Sequence, residues 1–356
     1  MSDLAEFYRN KRVLVTGHTG FIGSWLTKWL EMMNAEICGC SLDPPTKPNM
    51  YGVLNLKRKI TDLRIDVRHR DPLRKAIFEF QPEIVFHLAA QPLVLESFDN
   101  PVDTFEVNVI GTVNILDCLR NTDKLKSIVV VTSDKAYRNE EWVYPYRETD
   151  SLGGKDPYSA SKSCQDITVT SFRDSYFSDA GVGISSVRAG NVIGGGDWAK
   201  DRIVPDLVRS IVKGGTASLR NPDSIRPWQH VLEPVRGMLM LAERMWGNAS
   251  YSGDWNFGPD NRHRISVKGL SDKFIKYWGN GSYKIQNERC VKESNYLQLD
   301  ISKVEQKLGW APIYDIDISV RKTVEWYKRY YSDKHHSEKM TAEQITSYYN
   351  SWTELQ

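Results

Sequence analysis

One stretch of the chain decides the fold, and it reads Val13-Leu14-Val15-Thr16-Gly17-His18-Thr19-Gly20-Phe21-Ile22-Gly23. Residues 11–16 are a hydrophobic run that predicts a buried strand, and residues 22–34 carry apolar side chains at helical spacing. The three glycines therefore lie in a loop that joins a strand to a helix. Gly17 permits the turn, Gly20 lets a pyrophosphate approach the backbone, and Gly23 lets the helix pack closely on the strand. The N-terminus of the helix attracts phosphate charge.

Glycines at this spacing also occur in ordinary turns, so the neighbouring segments carry the argument. Residues 36–42 predict a second strand, which ends at Asp43. A carboxylate at that place can accept hydrogen bonds from the adenosine ribose hydroxyls and would repel a ribose 2′-phosphate. The sequence therefore predicts a cofactor site for NAD rather than NADP. The alternative is that Asp43 only forms a turn before Pro44.

The strand and helix pattern then repeats along the chain. Residues 64–66, 84–88 and 127–131 are short hydrophobic runs separated by helical stretches. Such alternation predicts an α/β fold with a doubly wound, Rossmann-type parallel sheet covered by helices on both faces.

The texture of the sequence changes after residue 190, where glycine, proline and tryptophan become frequent. We expect a Rossmann domain over residues 9–190, to which about 224–250 return as a helix. A smaller, interleaved α/β domain that binds substrate is expected over about 191–223 and 251–334. The last residues, 335–356, are predicted to be a polar helix or tail.

Composition excludes several classes of partner. The net charge is +2 over 356 residues and the basic residues are scattered, which argues against nucleic acid. No apolar run reaches the roughly 18 residues of a membrane span. The five cysteines are an odd number and no secretory signal is recognised, so reduced thiols and a cytoplasmic protein are expected. Cys38-Gly39-Cys40 is interpreted as part of a strand, and no metal site is predicted.

A second motif, Tyr158-Ser159-Ala160-Ser161-Lys162, places a phenol and an ammonium four residues apart on one face of a helix. An ammonium beside a phenol favours the phenolate, so Tyr158 could exchange a proton with a substrate hydroxyl. The pair follows the strand at residues 127–131, and parallel sheets place their chemistry at the carboxyl ends of strands.

With these motifs the sequence resembles the extended short-chain dehydrogenase/reductase family, and within it the nucleotide-sugar 4,6-dehydratases, over nearly the whole chain. The likeness rests on the glycine loop and the Tyr–Lys motif, and also on these runs: His87-Leu88-Ala89-Ala90-Gln91, Thr132-Ser133-Asp134-Lys135-Ala136-Tyr137, Arg188-Ala189-Gly190-Asn191-Val192-Ile193-Gly194-Gly195-Gly196-Asp197-Trp198, Arg226-Pro227-Trp228-Gln229-His230-Val231 and Leu308-Gly309-Trp310-Ala311-Pro312. The runs with Asp197-Trp198 and Trp228-Gln229 resemble the branch that acts on CDP-glucose.

The resemblance implies a lyase in which NAD takes a hydride from C4 of the sugar and returns it to C6 after water is eliminated, as in deoxysugar synthesis for O-antigen lipopolysaccharide. Tyr158 would take the proton of the 4-hydroxyl, and Lys162 would hold the phenolate. Asp134 would be the acid for the leaving 6-hydroxyl. Lys135 stands where related dehydratases have a glutamate, so the identity of the C5 base stays open between Lys135 and another group. Ser133 is either a partner of the 4-hydroxyl or a cap.

The resemblance also implies the binding residues. The cofactor set comprises Gly17, His18, Thr19, Gly20, Phe21, Ile22, Gly23, Asp43, Asp66, Val67, Leu88, Ala89, Ala90, Tyr158 and Lys162. The substrate set comprises Gln91, Asn191, Arg202, Arg226 and Asn261, and the alternative for both arginines is surface ion pairing. Asn108 and Arg188 match supporting positions, and His87 is expected to be a satisfied strand residue. A homodimer or homotetramer is expected.

Two rival functions follow from the same motifs. A nucleotide-sugar 4-epimerase shares the glycine loop and the Tyr–Lys pair, but it needs neither a leaving-group acid nor a C5 base at Asp134-Lys135. A nonenzymatic NAD sensor would need none of Tyr158, Lys162 and Asp134.

Overall fold

The computed structural model describes residues 2–262, 264–286 and 296–355. Its strands are β1 (Arg12–Thr16), β2 (Glu36–Ser41), β3 (Thr61–Arg64), β4 (Ile84–His87), β5 (Ser127–Val131), β6 (Gly183–Ala189), β7 (Val192–Ile193), β8 (Thr216–Leu219), β9 (Gln229–His230), β10 (Gly253–Phe257) and β11 (Ser282–Ile285). The helices are α1 (Ser2–Tyr8), α2 (Phe21–Met32), α3 (Met50–Val53), α4 (Arg70–Phe80), α5 (Val94–Asp99), α6 (Pro101–Phe105), α7 (Gly111–Leu119), α8 (Pro157–Phe172), α9 (Ile203–Val212), α10 (Leu232–Gly247), α11 (Val267–Trp278), α12 (Ser302–Leu308), α13 (Ile316–Ser332) and α14 (Ser337–Thr353).

Seven strands form one parallel sheet in the order β10-β6-β5-β4-β1-β2-β3. The predicted Rossmann-type α/β class is confirmed. The chain winds outward in both directions from the neighbouring strands β1 and β4, so the crevice between their carboxyl ends is the switch point where such sheets bind ligands. Two smaller parallel pairs, β8 with β11 and β7 with β9, lie outside this sheet.

Both faces of the sheet are buried, because successive side chains of a strand point to opposite faces. Val13 and Val15 of β1 join the core cluster that contains Trp25 of α2. Leu14, between them, joins the cluster that contains Leu73 of α4 and Ile115 of α7. This alternation explains why the three central residues of β1, Val13, Leu14 and Val15, are all apolar.

The expected position of the third strand needs a correction. The prediction was residues 64–66, whereas β3 ends at Arg64 and Ile65 follows it. β3 is an edge strand that pairs only with β2, and its polar sequence Thr61-Asp62-Leu63-Arg64 suits a half-exposed position better than a buried one.

The expected domain boundary at residue 250 is also wrong for one segment. β10 pairs with β6 and completes the large sheet, although residues 251–334 were expected to belong to the smaller domain. Trp255 and Phe257 of β10 are buried in the core cluster that contains Val13. The chain therefore returns to the sheet once more than its composition indicated, and the division into two domains otherwise stays a prediction.

The C-terminal segment is a helix, α14, but it is not polar on all sides. Ile345, Tyr348 and Tyr349 of α14 are buried in the core, and the hydroxyl of Tyr348 donates a 2.5 Å hydrogen bond to the carboxylate of Glu233 in α10. The segment was predicted to be a polar helix or tail, whereas the helical spacing of its apolar residues places them on one buried face.

Arg188 joins three parts of the fold. Arg188 is a residue of β6 and is fully buried. Its guanidinium pairs with Asp166 of α8 at 3.2 Å and with Asp254 of β10 at 3.1 Å. It also donates to the hydroxyl of Tyr137 at 2.9 Å. Since a buried guanidinium is stable only when its donors are paired, this network fixes α8 against the sheet.

No helix within the described ranges is long and apolar enough to span a bilayer.

Candidate active site

A cavity of about 1050 Å³ opens at the carboxyl ends of β1, β4 and β5. It lies at the switch point of the sheet, where the topology predicts a ligand. Its walls bring together residues from most of the chain: the glycine loop, residues 88–90, 92–95 and 131–135, most of residues 41–50 and 189–206, residues 65–67, and single residues of α8.

The glycine loop has the geometry that a dinucleotide requires. Gly17 has a φ of +74°, and a Cβ there would lie 2.7 Å from the backbone nitrogen of Ala89. A Cβ on Gly23 would lie 2.2 Å from the carbonyl oxygen of Gly17. Helix α2 begins at Phe21, and Gly20 caps it without a side-chain hydrogen bond, so backbone N–H groups of the first turn stay available. The loop therefore fits a pyrophosphate at this helix N-terminus.

Most of the expected cofactor residues line this cavity. The list includes Gly17, Thr19, Gly20, Phe21, Ile22, Gly23, Asp43, Asp66, Val67, Leu88, Ala89, Ala90, Tyr158 and Lys162. Asp66 is held by Arg68 at 2.6 Å, and the side-chain amide of Asn114 donates to the carbonyl of Val67 at 3.0 Å.

His18 is the exception among the expected cofactor residues. Its imidazole is fully buried and lies behind the loop, where Nε2 contacts the carboxylate of Asp62 at 2.7 Å. Asp62 also accepts a 2.6 Å hydrogen bond from the hydroxyl of Tyr51. The side chain of His18 therefore supports the loop from inside, because Gly39 of β2 leaves the space that its ring fills.

Asp43 follows β2 and lines the cavity with a side chain that is 90% exposed. One carboxylate oxygen lies 3.0 Å from Nε of Arg64. Arg64 is held in turn by Asp62 at 2.7 Å, so the guanidinium is shared between two carboxylates. The remaining lone pairs of Asp43 are open to solvent and to a ligand in the cavity.

The Tyr–Lys pair lies on α8 as predicted by its spacing. The carboxylate of Asp156 caps this helix through the backbone N–H of Ser159 at 2.9 Å, which fixes the first turn that carries Tyr158. Burial raises the pKa of Tyr158 to about 12, while a hydrogen bond with Ser133 and the charge of Arg202 act in the opposite direction. The phenol is therefore neutral at ordinary pH.

The ammonium of Lys162 has different partners from those expected. It donates to the side-chain oxygen of Gln165 at 2.8 Å and to the carbonyl of Val131 at 3.3 Å. Burial lowers the pKa of Lys162 to about 8, and the nearby Asp166 carboxylate opposes that change. In this structure the groups that lower the pKa of Tyr158 are Ser133 and Arg202 rather than Lys162.

Ser133, Asp134 and Lys135 follow β5 in a tight helical turn and all line the cavity. The hydroxyl of Ser133 accepts from the backbone N–H of Lys135 at 3.2 Å and donates to Asp134 at 3.1 Å. Ser133 is thus a cap and a neighbour of Tyr158 at the same time.

Asp134 is almost completely buried, and burial raises the pKa of its carboxyl against the opposing charges of Lys135 and Arg226. Its oxygen Oδ2 has no hydrogen-bond partner among the residues that the structure describes. A buried carboxyl with one free oxygen at the wall of a cavity is suited to exchanging a proton with a ligand.

The expected substrate residues divide into two groups. Asn191, Arg202 and Arg226 line the cavity. Gln91 and Asn261, which both lie in the described part of the chain, do not: the amide of Gln91 donates to Thr104 at 2.8 Å, and that of Asn261 donates to the carbonyl of Leu299 at 2.7 Å. The motif gave the position of these residues but not the direction of their side chains.

Sequence reasoning missed Asp197 as a site residue. Its carboxylate is buried, lines the cavity and pairs with Arg202 at 3.0 Å, which aims the guanidinium into the cavity near Tyr158. The sequence feature that could have identified Asp197 is the glycine-rich run Gly194-Gly195-Gly196-Asp197-Trp198. Gly195 packs so closely on Trp326 that a Cβ would lie 2.0 Å from its ring.

No cluster of three or more His, Cys, Asp or Glu side chains able to hold a metal ion occurs within residues 2–262, 264–286 and 296–355. Cys38, Cys40, Cys118 and Cys164 are free thiols, and Cys290 lies outside the described residues.

A family model described as GDP-mannose 4,6 dehydratase matches residues 14–323. The chain belongs to this dehydratase family. Among its relatives, a CDP-glucose 4,6-dehydratase of Salmonella typhimurium is 46% identical over 330 residues, which cover 91% of this chain and 92% of that protein. The dTDP-glucose 4,6-dehydratase 1 of Escherichia coli is 24% identical, over 89% of this chain and 92% of that protein. The predicted resemblance to nucleotide-sugar 4,6-dehydratases, and with it an enzyme of the lyase class, is confirmed.

Solved structures agree with this dehydratase on the fold. A dTDP-glucose 4,6-dehydratase from Streptomyces venezuelae, solved with NAD and TYD bound, superposes with a TM-score of 0.76 at 20% identity, over 92% of this chain and 99% of that one. A UDP-glucose 4-epimerase from Thermotoga maritima, solved with UDP-glucose, gives a TM-score of 0.77 at 23% identity, over 89% and 98%. Dehydratases and epimerases therefore share this architecture, and the residues of the cavity must distinguish them.

Proposed function

We propose that the protein converts CDP-glucose to CDP-4-keto-6-deoxyglucose and water. The observation that carries this proposal is the convergence of Tyr158, Lys162, Asp134 and Lys135 on one cavity beside a dinucleotide-binding loop. The likeness to the CDP-glucose enzyme of Salmonella typhimurium supports the choice of nucleotide.

NAD is the cofactor, and when bound it would supply a hydride acceptor for C4 of the sugar and, once reduced, a hydride donor for C6. The glycine loop would hold the pyrophosphate of NAD, and Asp43 would accept hydrogen bonds from the hydroxyls of the adenosine ribose. The residues that face the other half of the cavity are then available for the sugar nucleotide.

Tyr158 receives the proton of the sugar 4-hydroxyl in this proposal. The phenol is neutral before substrate binds, so it must first release its own proton to solvent; Tyr158 then accepts the 4-hydroxyl proton as a phenolate, which nearby positive charge stabilises. Arg202 and Lys162 supply that charge from two sides, Arg202 from the substrate wall and Lys162 from the next turn of α8.

Asp134 donates the proton that the departing 6-hydroxyl needs. Because burial raises its pKa, the carboxyl keeps its proton to a higher pH than an exposed aspartate would. This need separates a dehydratase from an epimerase, since an epimerase breaks no C–O bond at C6.

Lys135 is proposed to take part in removal of the C5 hydrogen. Lys135→Met is expected to lower both turnover and solvent deuterium uptake at C5 by about 10²-fold or more, because proton transfer by a positioned group contributes that much. Both rates are measured by NMR of the product formed in deuterated water. Lys155→Met is the matched control, since Lys155 is exposed and donates to the carbonyl of Asn139 at 2.9 Å. Unchanged rates in Lys135→Met would remove this lysine from the mechanism.

Asp43 is proposed to decide between the two nicotinamide cofactors. Asp43→Ala is expected to weaken NAD binding about tenfold and to strengthen NADP binding, because the ribose loses an acceptor and Arg64, left with Asp62 as its carboxylate partner, has a donor available for a 2′-phosphate. Calorimetric titration with each cofactor measures the change. Asp117→Ala is a suitable control, since Asp117 also pairs with an arginine, Arg120, on α7 away from the cavity. Equal affinities before and after the change would contradict the assignment.

The substrate diphosphate is assigned to Arg202, Arg226 and Asn191. A guanidinium fork matches paired phosphate oxygens, and the ion pair with Asp197 keeps Arg202 oriented before substrate arrives. The indoles of Trp198 and Trp228 also line this side of the cavity and offer flat surfaces to the nucleoside.

A homodimer, or a homotetramer built from it, is the proposed assembly. Apolar side chains are exposed in one region of the surface, on the helices that flank the site, with Val102 70% and Ile167 57% exposed. Phe98, Phe105 and Ile110 are exposed on the same stretch of helices. An apolar surface of this kind favours association with a second copy. The cytoplasmic location and a role in O-antigen synthesis stay predictions.

The direct test of substrate choice is incubation of the purified protein with CDP-glucose, dTDP-glucose, UDP-glucose and GDP-mannose. The expected result is an alkali-sensitive 4-keto-6-deoxy sugar from CDP-glucose at the highest rate. Product from dTDP-glucose alone would contradict the assignment of CDP as the nucleotide. No product from any of the four sugars would contradict the proposed dehydratase activity.

A further inference from the structure

A continuous network of hydrogen bonds between buried polar side chains runs from Lys162 to Thr16 of β1. Its members are Lys162 and Gln165 of α8, Thr112 of α7, His87 of β4 and Thr16 of β1, all of them fully or almost fully buried. Polar groups in such a place must be paired, so their partners can be worked out one by one.

Thr112 determines the direction of the hydrogen bonds. Its hydroxyl donates to the backbone carbonyl of Asn108 at 2.7 Å, so its oxygen can only accept from other partners. Gln165 Nε2 donates to it at 2.8 Å, and His87 Nε2 lies 3.1 Å away. The amide of Gln165 is thereby oriented with its oxygen towards the ammonium of Lys162, at 2.8 Å. The reversed amide would set two donors against each other.

The same constraint fixes the proton of His87. Its Nε2 must carry the hydrogen that Thr112 accepts, so Nδ1 is the acceptor for the hydroxyl of Thr16 at 2.7 Å. Burial lowers the pKa of His87 to about 3, and the charge of Lys162 acts in the same direction, so the ring is neutral. The oxygen of Thr16 then accepts from the backbone nitrogens of Leu88 and Ala89, each at 3.2 Å.

The end of this hydrogen-bond network at Thr16 therefore lies against the glycine loop. Leu88 and Ala89 line the cavity, and the nitrogen of Ala89 is the atom that a Cβ on Gly17 would meet at 2.7 Å. Lys162 at the near end is one helical turn from Tyr158. One set of hydrogen bonds thus connects the cofactor loop with the catalytic lysine.

We propose that Gln165 is a positioning residue that holds the ammonium of Lys162 in place at the wall of the cavity, one helical turn from Tyr158, and that Thr112, His87 and Thr16 lock the amide of Gln165 in the orientation this requires. The inference rests on the proposed function, because Lys162 assists Tyr158 in that reaction. It gives a reason for a neutral side chain at this place: an amide oxygen stabilises the ammonium without cancelling the positive charge that Tyr158 needs.

The effect of Gln165 on the Lys162 ammonium can be separated from the effects of the other neighbouring groups. The carbonyl of Val131 is a second, longer acceptor at 3.3 Å, and Asp166 acts through its charge while it is paired with Arg188. The titratable groups that interact with the ammonium are Asp166 on α8 and His87 on β4, and Tyr158, Asp134 and Lys135 line the same cavity. Only the 2.8 Å contact with Gln165 can be changed without removing a catalytic group or the Arg188 network.

The test compares Gln165→Leu and Gln165→Glu in the full-length enzyme. Lys162 must be charged to act, so activity falls as pH rises through the pKa of Lys162. Leucine removes the acceptor and should move this fall to lower pH by about one unit, whereas glutamate should move it to higher pH by a similar amount. NAD affinity, measured by calorimetry, should also weaken by about threefold to tenfold in Gln165→Leu.

Opposite shifts are the decisive result, because a general loss of packing would move both variants in the same direction. If Gln165→Leu does not fold, Thr112→Val serves in its place and should give a smaller shift to lower pH. Gln344→Leu and Thr168→Val are the matched controls, since both remove a hydrogen-bonding side chain remote from the cavity and should leave the profile unchanged. Unchanged profiles, or shifts of equal sign, would overturn the role of Gln165.

The two proposals fail in different ways. Absence of turnover by the unaltered enzyme on every nucleotide sugar would refute the proposed function, and the calorimetric comparison would still test Gln165. Full turnover by the unaltered enzyme, with identical profiles and NAD affinities in the Gln165 variants, would refute the positioning role alone.

Discussion

Tyr158→Phe is expected to lower turnover by about 10²- to 10⁴-fold while the protein stays folded, because the change removes the one group proposed to accept the 4-hydroxyl proton. The ring itself remains in its buried place on α8, and the hydroxyl of Ser133 keeps its hydrogen bonds with Asp134 and with the backbone N–H of Lys135. The measurement is the rate of keto-sugar formation at saturating substrate, together with the thermal unfolding midpoint.

Tyr8→Phe is the matched control for this prediction. Its hydroxyl is also buried and donates to the carbonyl of Leu239 at 2.8 Å, but it lies on α1, away from the cavity. Its loss should cost about 1 kcal/mol of stability and leave turnover unchanged. Turnover of Tyr158→Phe within a few-fold of the unaltered enzyme would contradict the assignment of Tyr158.

Asp134→Asn is expected to stop the reaction part-way, with product formation reduced about 10²-fold or more. Asparagine has the size of the buried aspartate but cannot donate the acidic proton that the departing hydroxyl requires. Oxidation at C4 does not need this proton, so the oxidised sugar should accumulate on the enzyme. Its formation is followed through the near-ultraviolet absorbance of the reduced nicotinamide after rapid mixing with substrate.

The control for Asp134 is Asp150→Asn, since the carboxylate of Asp150 also accepts hydrogen bonds in a turn, from Arg147, outside the cavity. That variant should give normal product and no accumulation. Loss of C4 oxidation together with product formation in Asp134→Asn would mean that Asp134 acts earlier than proposed, and normal turnover would remove it from the reaction.

The sequence predicted the fold well where burial acts on both faces of a strand. β1 and β5 are continuous hydrophobic runs, and β5 begins and ends at the expected residues. β3 was misplaced because an edge strand carries a polar sequence, and β10 was assigned to the wrong domain because composition does not report a late return of the chain. α14 was read as polar because its buried residues are spaced along one face.

The site was predicted less evenly, because a motif fixes the place of a residue on the backbone but not its partners. The glycine loop, Tyr158, Lys162 and Asp134 lie along one cavity wall. His18 and Gln91 lie at motif positions, yet their side chains are used inside the protein. Gln165 carries no sequence signal, since a glutamine on a helix usually faces solvent, and the orientation of its amide depends on Thr112 and His87, which other elements supply.

The most direct test of the proposed reaction follows a label within one molecule. CDP-glucose carrying deuterium at C4 is incubated with the purified enzyme, and the product is examined by NMR and mass spectrometry. The proposal predicts a 4-keto-6-deoxy sugar with the deuterium retained and located at C6. Deuterium found at C4 of an epimerised sugar, or lost from the sugar altogether, would contradict internal hydride transfer and with it the proposed dehydratase.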